Sequence, residues 1–124
     1  MLQLPSPGWA LMLASSAIVA TVRPSAYLEK LCEHFARERG RHGAPEVEVT
    51  WDEREGYIDF TPIVQGTCRF DARHKGLLAL SATGADHAAL EEVQRIVGEH
   101  VERFGRRDGL SADWGPASEV AAPG

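Results

Sequence analysis

The chain is short of four things, and each shortage excludes something. Its 124 residues include only two cysteines, Cys32 and Cys68, which cannot make a disulfide framework. Free, buried and reduced thiols are expected instead, and with them a cytoplasmic setting. Long apolar runs are missing as well. The stretch from Leu11 to Ala20 is interrupted by Ser15 and Ser16 and is too short for a membrane span. No Lys or Arg precedes Arg23, so the charged start of a signal peptide is lacking too. Positive charge is in deficit, with a net charge of −5 and an isoelectric point near 5.5, whereas a nucleic-acid binder carries a basic face or stripe. No nucleic-acid or membrane partner is therefore expected. The local exceptions, Arg37, Arg39 and Arg41 and then Arg103, Arg106 and Arg107, follow two helical stretches, where cations complement the helix dipole. Finally, motifs for chemistry are wanting. There is no Cys-x-x-Cys or His-x-x-x-His pair, no Gly-x-Ser-x-Gly turn and no phosphate loop.

What the chain does have is alternation. Apolar residues make up 44% and charged residues 25%, ordinary for one globular domain of this length. Ala17–Val22 is β-branched and alternating, a strand leading into Pro24, which suits the first position of a helix. Tyr27, Leu28, Leu31, Cys32 and Phe35 recur at helical spacing and form one apolar face. This first helix is expected to run from Pro24 to Arg39, stop at Gly40 and give way to a loop over 41–45. Val47, Val49 and Trp51 alternate with polar residues. Glu53–Gly56 reads as a hairpin connection in which Gly56 can take positive φ. Ile58 and Phe60 continue the alternation to Pro62. Gly66 opens a strand with Cys68 and Phe70, and Leu77–Ala82 follows after a turn. A second helix starts beside Asp86, a fitting N-cap, and carries Leu90, Val93, Val97, Val101 and Phe104. Leu110, Ala112 and Trp114 predict a last short strand, which could complete the sheet within the chain or across a homodimer.

The order β-α-β-β-β-β-α predicts an α+β fold, an antiparallel sheet of four to six strands covered on one face by two helices. That order is similar to the half-repeat of TATA-binding-protein-like folds. Residues 15–115 make the domain. Residues 1–14 are expected to be a disordered or mis-assigned extension, with Met12 as an alternative start, and residues 116–124 a flexible tail. Val49, Trp51, Ile58, Phe60, Cys68, Phe70, Leu78 and Leu80 should face the helices. The opposite face should then show Glu48, Thr50, Tyr57, Asp59, Thr67, Arg69, Asp71, Leu77 and Ala79. Of these, Arg69, Asp59, Thr50, Thr67 and Tyr57 are the candidate binding residues. Arg69 is the one central cation among acids, and a guanidinium suits bidentate capture of a carboxylate. Both Phe35 and Phe104 should be nearly buried.

Cys32 and His34 lie about 200° apart on a helix and cannot share one metal ion there. With Cys68 and His100 they are weak metal candidates only. The same residues, with Arg69, would be the pocket of a small enzyme if the chain were one. No catalytic residue and no cofactor can be named.

The stretch Arg23–Phe35, Gly66-Thr67-Cys68 and His100-Val101-Glu102-Arg103-Phe104 together resemble the bacterial domain-of-unknown-function family numbered 2218, over about Ala17 to Trp114. The expected function is a non-catalytic binding or accessory module that uses the open sheet face or the basic helix ends, and the resemblance implies an association with siderophore and iron-uptake functions.

Overall fold

A computed structural model describes residues 11–38, 47–61 and 63–121. In chain order it has β1 (Leu11–Ala20), α1 (Pro24–Glu38), β2 (Glu48–Trp51), β3 (Glu55–Asp59), β4 (Gly66–Asp71), β5 (Leu77–Gly84), α2 (His87–Phe104), a 3₁₀ turn (Arg106–Asp108), β6 (Asp113–Trp114) and β7 (Ser118–Ala121). The sheet is antiparallel, in the order β2-β3-β4-β5-β1-β6, and β7 also pairs with β1. This is the expected α+β class, with seven strands.

The helices form where the sequence directs them. Pro24 opens α1, and all five residues of its apolar stripe are buried. The Asp86 carboxylate caps α2 by accepting the Ala89 N–H at 2.8 Å. Leu90, Val93, Val97 and Val101 bury the face of α2 that meets the sheet. Opposite them, Ile58, Cys68, Phe70, Leu78 and Ala82 are fully buried, and Phe60 and Leu80 nearly so. Burying a side chain of Leu, Ile or Phe size stabilises by about 1.5–3 kcal/mol, so this layer dominates the fold. Tyr27 meets Asp108 while His34 meets Phe104 and His100, which makes the two helices antiparallel.

Several expectations are corrected. β1 starts at Leu11, inside the segment expected to be an extension. Its first four residues pair with Ser118–Ala121, inside the segment expected to be a tail. Met12, the alternative start, stands opposite Val120. The physical reason is a shared edge: β6 covers only Ala17 and Ile18 of β1, and the hydrogen-bonding groups of Leu11–Ala14 need a separate partner. β6 pairs within the chain, although it is only two residues long. Leu110 turns away from it and is buried beside Gly105. Phe104 is half-buried, not nearly buried like Phe35. Trp51 points to the helix side but is 36% exposed, because β2 is an edge strand. Among the described residues the positive-φ glycines are Gly76 and Gly109, and Gly56 is not one of them. It is needed for space, since a Cβ there would lie 2.7 Å from the Cys32 Sγ. The expected loop over 41–45, the helix end at Arg39 and Gly40, Arg41 and Pro62 lie outside the described residues.

Candidate functional site on the open sheet face

Strand pairing places the predicted binding residues in two straight rows across the uncovered face. Thr50 stands opposite Tyr57, Tyr57 opposite Arg69, Arg69 opposite Ser81 and Ser81 opposite Ser16. One step along the strands, Glu48, Asp59, Thr67, Thr83 and Ala14 form the second row. The five candidates Arg69, Asp59, Thr50, Thr67 and Tyr57 thus share one patch. Alternation along β4 dictates this, since Cys68 and Phe70 are held in the core on the other side.

Among the described residues no ion pair joins Asp59 to Arg69. Asp59 instead accepts the Thr61 N–H at 3.0 Å, which holds its carboxylate at the strand end. The Arg69 guanidinium lies 5.6 Å from the centre of the Tyr57 ring, a cation–π arrangement. Burial, chiefly, raises the Tyr57 phenol above its ordinary pKa, so this ring is neutral near pH 7. Thr67 and Thr83 share a hydroxyl hydrogen bond of 2.6 Å. At the β4 end, Asp71 is bound by Arg73 at 2.9 Å, and those hydrogen bonds hold its carboxyl well below the usual carboxylate range. Arg73 is also 3.9 Å from Glu55. Arg73 thus offsets part of the acidic charge at that end, and Arg69 is the cation at the centre of the patch.

Two shallow concavities flank Arg69. One, of about 320 Å³, is bounded by Thr50, Asp52, Glu55, Tyr57 and Arg69, with Trp51 at its rim. The other, of about 190 Å³, is bounded by Met12, Tyr57, Thr67, Arg69, Ser81 and Thr83. Sequence reasoning missed Met12, Ser81 and Thr83. The signal for the last two was present, because the parity of β5 that buries Leu78, Leu80 and Ala82 turns Ser81 and Thr83 outward. Met12 was lost with the late placement of β1.

The four weak metal candidates fall into two separate places. Cys32 and Cys68 are both free and fully buried. Burial pushes the Cys32 thiol up to about 12, and Cys68 is raised further, with Cys32 adding to the effect. Such thiols are protonated near neutral pH and are poor nucleophiles and ligands. The His34 and His100 rings lie 5.0 Å apart between the helices, against Phe35 and Phe104. The His100 Nδ1–H donates to the Ile96 carbonyl at 2.6 Å. Among the described residues no three His, Cys, Asp or Glu side chains gather in a metal-binding group, and no helix is long and apolar enough to cross a membrane.

The architecture is therefore that of a small α+β domain with one dry sheet face and one open face. The chain belongs to the bacterial family DUF2218, described as an uncharacterised protein conserved in bacteria, whose sequence model matches residues 16–115. The match ends between β6 and β7 and starts halfway along β1. No curated protein matches the chain.

Proposed function

We propose that the protein is a small non-catalytic binding module whose open sheet face receives an acidic ligand at Arg69. The observation that carries this reading is Arg69 itself. It is an exposed guanidinium in the middle of a five-strand row, with no ion-pair partner among the described residues, set over Tyr57 and between two concavities. A carboxylate docking there would gain a bidentate, charge-assisted pair, with the Thr67, Ser81 and Thr83 hydroxyls beside it. The protonated thiols, and the absence of Cys32, His34, Cys68 and His100 from the residues that bound either concavity, favour binding over covalent chemistry. The family resemblance supplies the setting, an accessory role in iron or siderophore metabolism, and induction of the protein on iron starvation would support it.

The test is titration of a tetraglutamate peptide into the wild-type protein and the Arg69→Ala variant, followed by NMR. Saturable shifts at Tyr57, Thr67, Arg69 and Ser81 are expected, with affinity lowered about 10-fold or more in the variant. Unchanged affinity in a folded variant, or shifts confined to other surfaces, would overturn the reading.

A further inference from the structure

A concavity larger than the two on the open face is found away from the sheet. It lies where the start of α1 meets the end of α2, encloses about 640 Å³, and is lined by Arg23, Tyr27, Lys30, Arg103, Phe104, Arg106, Arg107 and Asp108. Five cations thus face one carboxylate in a protein of net charge −5. That carboxylate is already engaged: Asp108 accepts a hydrogen bond from the Tyr27 hydroxyl and pairs with Arg23 at 3.2 Å. The 3₁₀ turn and the left-handed Gly109, at φ 68°, fold Asp108 back to reach them. Lys30, Arg103, Arg106 and Arg107 have no ion-pair partner among the described residues. Elsewhere Arg37, Arg73 and Arg95 are paired with nearby carboxylates.

Helix-dipole complementarity accounts for Arg103, Arg106 and Arg107 at the end of α2, and not for Arg23 and Lys30. The start of α1 presents its positive end to the same cleft, a place that favours acids, yet its first turn has none; Arg23 stands just before it and Lys30 in its second turn. Gathering like charges from both helices opposes folding and calls for a counter-charge. The volume falls in the range of small-molecule sites and exceeds what a single monovalent ion would fill.

We infer that this cleft binds a small oxyanion carrying two or more negative charges, a polyphosphate or a polycarboxylate, held by Lys30, Arg103, Arg106 and Arg107. Tyr27, hydrogen-bonded to Asp108, lines the cleft with them. The inference stands apart from the open-face reading and shares no residue with it.

Pyrophosphate, tricarballylate and acetate are each titrated by calorimetry and by NMR into the wild-type protein and into the Arg103→Ala/Arg107→Ala double variant. Saturable binding of pyrophosphate or tricarballylate is expected, weakened by salt, with amide shifts centred on residues 23–30 and 103–108. The stronger of the two identifies the phosphate or carboxylate source. The double variant should lose about 10-fold or more in affinity, and Arg69→Ala should lose none. If the double variant does not fold, the wild-type shift map and Lys30→Ala carry the test. The proposal is overturned by the absence of saturable binding, by acetate binding as well as the polyanions, by shifts centred elsewhere, or by variants that bind normally. It is also overturned if a single-stranded oligonucleotide binds more tightly than either polyanion, since the surface would then serve an extended nucleic acid.

Discussion

Two neighbouring residues of β4 live in opposite worlds. Phe70 is fully buried beneath the helices, whereas Arg69 is exposed on the open face. The same division separates Cys68 from Thr67. On the covered face burial sets the chemistry: it pushes thiols toward the neutral form and leaves only shape complementarity. On the open face the backbone fixes positions while side chains keep their charge and hydrogen-bonding capacity. A single sheet is thereby rigid on one side and chemically available on the other, because its rows inherit their spacing from strands locked by the core.

Substitution at neighbouring positions should break this comparison most sharply if it is wrong. Phe70→Ala is expected to cost about 3–5 kcal/mol, as deletion of a buried ring does, read by denaturant unfolding. Arg69→Ala should stay within about 1 kcal/mol, because exposed charges contribute little. Similar losses for the two would show that the open face is covered in solution.

A smaller effect concerns the thiols. In the unfolded chain they lose their protons near pH 9, and in the folded protein Cys32 does so only near pH 12. Above about pH 9 the unfolded state binds fewer protons, so stability should fall as pH rises, by about 1 kcal/mol per thiol per pH unit. Below about pH 8 this contribution is fully present. The Cys32→Ala/Cys68→Ala variant should flatten the decline between about pH 9 and pH 10, whatever its stability at neutral pH. An unchanged slope would place the thiols in contact with water. Both cysteines should also react with a thiol reagent slowly in the folded state and fully after denaturation.

The smallest effect is local. The hydrogen bond to Asp108 chiefly raises the Tyr27 phenol above its ordinary pKa. In a Tyr57→Phe background, Asp108→Asn should lower that pKa, read by ultraviolet absorbance of the phenolate. No change would mean that the 3₁₀ turn does not hold Asp108 against Tyr27.

Much of the fold was legible because alternation and helical spacing are local signals. The stripes of α1 and α2, the Asp86 cap and the inward parity of Ile58, Cys68, Phe70, Leu78 and Leu80 all follow from residues within a turn or a strand of one another. The open-face patch was legible for the same reason, since outward parity is the complement of inward parity. What could not be read depends on distant partners. Leu11–Ala14 become strand because Ser118–Ala121 lie beside them, and nothing in either segment announces the other. Gly56 looked like a turn glycine until the Cys32 sulfur was found against it. The cationic cleft was legible only as the cluster Arg103, Arg106 and Arg107, because Arg23 and Lys30 lie far along the chain from it. Only the antiparallel packing of the helices brings them together.

β1 is the strand through which the sheet is fastened. It pairs with β5 along one side and with β6 and β7 along the other, and the Ser15 hydroxyl donates to the Gly115 carbonyl at 2.7 Å across 100 residues of chain. A nascent chain on the ribosome therefore exposes this alternating, apolar strand long before any of its partners has been synthesised. Loop-closure entropy must be overcome before such contacts form, and a high contact order slows folding. Among the described strands, β1 is thus made before every partner that seals it, and its edge groups stay open until β5, β6 and β7 follow.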